Sequence, residues 1–267
     1  MEKTIKRFTL LCLIFPLLLL AACGSKSIAE VDITERLKDD PTITWGVKVD
    51  TSLFGLYNIK TSEIEGFDID IAKALTEEIT GDAANAKFVE VTSKTRIPLL
   101  KNGNIDAIIA TMTISEERKK QVDFSDVYFD AGQALLVPGN SSIQSVSDLS
   151  SDTTVLAVKG STSAANIRKH APDTHVLELE NYSEAFTALQ SGQGDAMTTD
   201  NAILLGIIAN NPGYRLAGGN FTDEPYGIAI NKDQNKFVET INSAFKTIKE
   251  NGVYDEIYNK WIPEMEE

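Results

Sequence analysis

The chain has 267 residues, and 39 acidic residues against 25 basic ones give a formal net charge of −14 at pH 7. Such acidity argues against nucleic acid or an anionic membrane surface as the partner, since both repel it. The two cysteines, Cys12 and Cys23, both lie near the start, so stability must come from a buried core, which a chain this long can supply in one or two domains.

The first element is a targeting segment. Lys3, Lys6 and Arg7 precede an apolar run that contains Pro16 and ends in Leu20-Ala21-Ala22-Cys23. A basic start, a short apolar core and a small-residue end make a secretory signal. The run is shorter than the roughly 20 apolar residues of a membrane span. The tetrad resembles the lipobox of bacterial lipoproteins, where the cysteine becomes the N-terminus and carries lipid, palmitate included. On that reading residues 1–22 are removed, Cys23 is lipidated, and the net charge of the remainder is −16. An ordinary signal peptide with a chance cysteine, or an uncleaved anchor, would be the alternatives. Residues 23–40 are polar and read as a tether spanning roughly 20–25 Å, although Ile28, Val31, Ile33 and Leu37 are spaced for a short helix.

The first strand-like run is Thr42 to Val47. Further on, Leu100-Lys-Asn-Gly103-Asn-Ile-Asp106-Ala107 matches Leu189-Gln-Ser-Gly192-Gln-Gly-Asp195-Ala196 as L-x-x-G-x-x-D-A. Each copy follows an alternating strand pattern, Lys87–Val91 or His175–Leu179. Each precedes a short apolar strand that runs into hydroxyl residues, Ile108–Thr113 or Met197–Asp200. The pattern is strand, short helix, glycine-terminated helix end, strand. Repeated in order, it predicts an α/β class with two similar lobes and parallel sheets.

Ligands of open α/β sheets lie beyond the carboxyl ends of strands. The candidates there are Lys48 and Asp50, Thr111 to Thr113, Gly160 to Ser163, and Thr199 with Asp200. Gly160-Ser-Thr-Ser163 precedes a helical run, so its free amides could hold an anion; plain capping by Ser161 or Ser163 is the commoner use of such a turn. Ser115 is placed to cap a helix with Arg118 at its third position, where a cation gains nothing from the dipole. Its planar fork suits a carboxylate, with Glu116, Glu117 or Asp123 as alternative partners. Arg96 also opens a helix, and a surface role is open to it as to Lys48. Asp200 could cap the helix that follows or accept hydrogen bonds from an ammonium group. His170 and His175 have no cysteine or histidine cluster around them, so no metal is expected. Phosphate-binding, dinucleotide-binding and nucleophile-elbow motifs are absent from the sequence, and neither a cofactor nor catalysis is indicated.

Several segments together resemble the extracytoplasmic solute-binding proteins (family 3) of ABC importers for polar amino acids. They are Gly66-Phe-Asp-Ile-Asp-Ile-Ala72, Thr113-Ile-Ser-Glu-Glu-Arg118, Val122-Asp-Phe-Ser-Asp126, Lys159-Gly-Ser-Thr162, Thr199-Asp-Asn201, Glu224-Pro-Tyr-Gly227 and Tyr254-Asp-Glu-Ile-Tyr258. The resemblance runs from about Ile43 to the C-terminus. It implies the two-lobed periplasmic-binding-protein fold, type II, with α/β lobes joined by two strands and closing on the ligand. Lobe one would comprise 41–135 plus 226–267 and lobe two 136–225, with crossings near Leu135–Val137 and Asp223–Tyr226.

The resemblance makes Arg118 the anchor of the α-carboxylate, helped by Thr113 and Thr162. Asp200 accepts the α-ammonium group, and Thr111 lines the pocket. Leu53 and Ser93 stand where many members have aromatic walls, which argues against stacked histidine or arginine. Thr92-Ser-Lys-Thr-Arg96-Ile-Pro98 resembles the glutamate, aspartate and glutamine binders. There Arg96, assisted by Lys48, would hold a side-chain carboxylate; charge counting agrees, since a second buried carboxylate needs its own cation. The expectation is an acidic amino acid, with glutamine as the neutral alternative. The partners implied are an ABC permease and its ATPase, with the receptor a monomer held on the extracytoplasmic face of the cell membrane by its lipid. Three rival readings are a cyclic amino acid dehydratase on the same fold, a sensory input module whose partner supplies the output, and a surface adhesin. The first would need a general acid over the ligand, and the matched positions offer no spare His or Glu for it.

Overall fold

The structure is a computed structural model that describes residues 31–262, and the repeated pattern is its frame. In the first unit β1 (Ile43–Val47) lies between β5 (Ala86–Glu90) and β6 (Ala107–Ile108), both parallel to it. In the second, β9 (Thr154–Val158) lies between β10 (His175–Leu179) and β11 (Ala196–Asp200), again parallel. Each sheet is completed by a strand arriving from the other lobe. Strand β13 (Glu224–Ile230) runs antiparallel beside β6, with β7 (Asp123–Ala131) outside it. Likewise β8 (Gln133–Pro138) runs antiparallel beside β11, with β12 (Tyr214–Ala217) outside. The sheets are therefore mixed, parallel at the core and antiparallel at one edge.

The motif explains itself in atoms. The helices α3 (Arg96–Lys101) and α6 (Tyr182–Gln190) both end in a left-handed glycine, Gly103 and Gly192, each with φ 72°. Glycine is the residue that reaches this conformation without steric cost. Three residues on, Asp106 Oδ2 accepts the Thr44 amide at 2.8 Å, and Asp195 Oδ2 accepts the Thr154 amide at 2.7 Å. Each aspartate thus pins the first strand of its sheet to the third.

The crossings come earlier than the sequence suggests. Gln133 to Leu136 already pair with Asp200 to Met197 of β11, so the first crossing is Gly132 rather than Leu135–Val137. Those residues are apolar because they are fully buried in the second sheet. Glu224 and Pro225 pair with Ala131 and Asp130 in the first sheet, which puts the second crossing within 218–223. The two crossings touch: a Cβ on Gly132 would lie 2.4 Å from Asn220 Nδ2.

A small sheet of β2 (Asp50–Thr51), β3 (Gly55–Asn58) and β4 (Glu63–Glu65) precedes α2 (Phe67–Thr80). Helix α8 (Asn235–Glu250) packs against α2; its buried residues Phe237, Ile241, Ala244, Phe245 and Ile248 recur at helical spacing. Each such large side chain contributes about 1.5–3 kcal/mol on burial.

The expected tether is a different matter. Cys23 and the targeting segment lie outside the described residues, but 31–40 are docked. Asp32 caps α1 (Ile33–Arg36), and Ile33 is buried. Gln234 grips the main chain there, accepting from the Ile33 amide at 3.1 Å and donating to the Val31 carbonyl at 2.8 Å. Arg36 meets Asp106 at 2.8 Å. Among the described residues no helix is long and apolar enough to cross a membrane.

Candidate ligand-binding cleft

Lobe one brings three cations to the cleft. Lys48 follows β1 and is fully buried; its Nζ donates to Ser93 Oγ at 2.8 Å and lies 4.8 Å from the centroid of the Tyr182 ring. Burial, then the nearby Arg96, pushes its pKa down to about 7. Arg96, 2% exposed, donates from Nη1 to the Ala110 carbonyl at 2.7 Å, while its buried Nε has no partner within the described chain. Desolvation and then Arg118 lower its pKa to about 9. The cation at the unfavourable end of α3 is therefore a buried residue and not a surface one.

Arg118 sits where the sequence puts it. Ser115 caps α4 (Glu116–Lys119) by accepting the Arg118 amide at 3.3 Å. The guanidinium turns back to the Thr113 carbonyl at 2.7 Å and reaches the Gly160 carbonyl of lobe two at 3.1 Å. Thr113 thus meets Arg118 through its main chain. Glu116 pairs with Lys119 instead.

Thr111 stands between these cations with φ 46°, a left-handed backbone that a β-branched residue rarely adopts. Its amide donates to Asp68 Oδ2 at 3.0 Å, and the Tyr128 hydroxyl donates to the other oxygen at 3.0 Å. Asp68 is fully buried, and desolvation raises its pKa to about 7 despite those donors.

Lobe two answers with acceptors. Asp200 opens α7 (Asn201–Ala209) but does not cap it. Its Oδ2 accepts the Tyr226 hydroxyl at 2.6 Å, and its buried Oδ1 has no partner within the described chain. Burial raises its pKa to about 7. Of the two roles the sequence leaves open to Asp200, side-chain capping is not made. Thr162 begins α5 (Ser163–His170), yet its hydroxyl donates to Glu224 Oε2 at 2.8 Å and makes no cap. Ser161 stays local, donating to the Val158 carbonyl.

The lobes meet across the cleft. Asp50 Oδ2 accepts the Tyr182 amide at 2.8 Å, at the first residue of α6. Gly160 has φ 78°, and a Cβ there would lie 2.7 Å from the Ser93 carbonyl oxygen. Lys94 pairs with Glu180 at 3.6 Å, but both are about half exposed and the pair adds little.

Sequence reasoning missed four buried partners: Asp68, Tyr128, Tyr226 and Glu224. They change the charge count: Lys48, Arg96 and Arg118 stand with four acidic residues, Asp50, Asp68, Asp200 and Glu224. Among the described residues no cluster of His, Cys, Asp and Glu is arranged for a metal ion.

Two α/β lobes that set a buried guanidinium against a buried carboxylate have relatives. Residues 43–264 match the bacterial extracellular solute-binding proteins, family 3. The chain belongs to this family. It is an extracytoplasmic solute-binding protein rather than an enzyme. It is 59% identical to the ABC transporter glutamine-binding protein GlnH of Bacillus subtilis (strain 168), over 94% of each chain. It is 55% identical to a glutamine-binding protein of Geobacillus stearothermophilus, over 84% of this chain and 85% of that one. A solved ancestral arginine-binding protein bound to glutamine matches with a TM-score of 0.76 and 42% identity, over 83% of this chain and 97% of that one. The two-lobed α/β binding-protein fold rests on such likenesses and on the paired sheets.

Proposed function

We propose that the protein captures glutamine between its lobes and delivers it to an ABC permease driven by its ATPase. The observation that carries this reading is the balance of buried charge in the cleft. Glutamine brings one ammonium, one carboxylate and a neutral amide, so it adds no net charge. Glutamate would add a carboxylate that the four acidic groups already present oppose. The kinship with two proteins named for glutamine points the same way.

In this reading Arg118 binds the α-carboxylate as a fork, and Asp200 Oδ1 accepts the ammonium. The Nε–H of Arg96, without a partner among the described residues, donates to the side-chain amide oxygen, with Lys48 nearby. Thr111 lines the pocket, and Thr113 holds Arg118 through its carbonyl. Thr162 contributes through its place at the start of α5. The lobes, 41–131 with 224–262 and 133–217, move as bodies about Gly132 and 218–223, and ligand shifts the population toward closure. Lipid on Cys23 would keep the monomeric receptor beside its permease.

A thermal-shift screen against the twenty common amino acids tests the assignment, because a ligand bound to the native state raises the melting point. Glutamine should give the largest rise. A larger rise with glutamate or aspartate would overturn it.

A further inference from the structure

Glu224 is a buried carboxylate that no assigned role uses. It is the first residue of β13, 3% exposed, and stands where the chain has just re-entered lobe one. Its side chain nevertheless grips lobe two. Oε2 accepts from the Thr162 hydroxyl at 2.8 Å; Oε1 accepts from Asn166 Nδ2 at 2.7 Å and from the Thr222 hydroxyl at 2.9 Å. Asn166 donates as well to Gln133 Oε1, at the head of β8, at 2.7 Å. The carboxylate is held in one place by donors from the start of α5 (Thr162 and Asn166) and from the second crossing (Thr222).

That place faces the ligand groups. Side chains two apart on a strand share a face, and Tyr226, two residues along β13, gives its hydroxyl to Asp200. On the other side, Thr162 lies two residues beyond Gly160, whose carbonyl receives Arg118. Glu224 is thus set between the anchor for a carboxylate and the acceptor for an ammonium. Its charge strengthens the cationic form of Arg118 and opposes ionisation of Asp200.

We infer that Glu224 is a specificity-determining residue: its fixed negative charge at the hinge balances the cations of lobe one and so selects a net-neutral amino acid over a dicarboxylate. The inference rests on the glutamine reading above and adds the residue that enforces it. It also explains why three cations in one cleft do not make an acidic-ligand site.

The test is calorimetric titration of wild type, Glu224→Gln and Glu224→Asp with glutamine and with glutamate. Glu224→Gln should raise the ratio of glutamate to glutamine affinity by about tenfold or more, since a buried charge is removed without loss of size. Glu224→Asp keeps the charge but shortens the reach, so both affinities should fall together at an unchanged ratio. A ratio unmoved in Glu224→Gln, with both ligands weakened equally, would make Glu224 a structural brace and overturn the inference. If Glu224→Gln fails to fold, Asn166→Lys sets a cation against the same carboxylate and should move the ratio in the same direction; no movement there counts equally against the inference. Should wild type prefer glutamate, the functional reading falls, while the ratio shift still decides the role of Glu224.

Discussion

The two copies of L-x-x-G-x-x-D-A build the same scaffold and end in opposite chemistry. In lobe one the strand after the motif leads to the strained Thr111, to Thr113 and to Arg118. In lobe two the equivalent strand ends directly at Asp200, on the first turn of α7. The glycine and aspartate of the motif serve the sheet in both, because Asp106 and Asp195 hold strand amides and not ligand. The staple is the same in both copies, and the lobes differ in the few residues beyond it. On the proposed reading Arg118 from lobe one and Asp200 from lobe two take the two ends of one zwitterion.

The comparison breaks most severely at Arg118. Arg118→Ala should abolish measurable binding of every amino acid by calorimetry, a loss of about 3–5 kcal/mol, because the ligand's α-carboxylate would be buried without its cation. Retained affinity would remove the anchor from lobe one.

Gly160→Ala attacks the meeting of the faces instead. The added methyl would strike the Ser93 carbonyl and strain a positive φ. Affinity should fall by about 1–3 kcal/mol, while far-ultraviolet circular dichroism stays unchanged. Unaltered affinity would mean that the lobes need not approach this closely.

The staples should be unequal. Asp106 also pairs with Arg36 at 2.8 Å, whereas Asp195 has only its strand amide among the partners described above. In denaturant titrations Asp106→Ala should cost about 2 kcal/mol and Asp195→Ala about 1 kcal/mol. Equal losses would show that docking of α1 adds nothing to lobe one.

The smallest effect is on pH. Burial raises the pKa of Asp200 from an ordinary carboxyl value to about 7. The folded protein therefore keeps a proton between about pH 4 and 7 that the unfolded chain has lost, and this contribution to stability fades as pH rises through 7. An ammonium group needs the ionised form. Binding at pH 6 should release a proton, and affinity should weaken by up to about tenfold per unit below pH 7. Calorimetry in buffers of differing ionisation enthalpy reads this release, and no release at pH 6 would exclude Asp200 as the ammonium acceptor.

How much of this was legible follows from where each contact originates. Arg118 could be read because its misfit is local: a cation three residues after Ser115, at the wrong end of a helix. The repeated lobes could be read because glycine ends and strand alternation are local as well. The balance of the cleft could not. Asp68 meets Tyr128 across 60 residues of sequence and Glu224 meets Thr162 across 62, so no spacing signals either. The run Glu224-Pro-Tyr226 did hold one clue, since strand alternation puts Glu224 on the face of Tyr226. The crossings were misplaced because buried strand and linking strand are equally apolar at Leu135–Val137. Of the two readings of residues 31–40 the short helix is the one seen, and spacing could not reveal its docking, because one glutamine, Gln234, recognises main chain 201 residues away.

On the proposed reading the opposed Arg118 and Asp200, with the acidic groups around them, select a net-neutral zwitterion. Calorimetric titration of the wild-type protein with glutamine and with glutamate at neutral pH tests it directly. The charge balance predicts one site per chain and glutamine bound at least about tenfold more tightly than glutamate. Glutamate bound as tightly as glutamine, or more tightly, would contradict it.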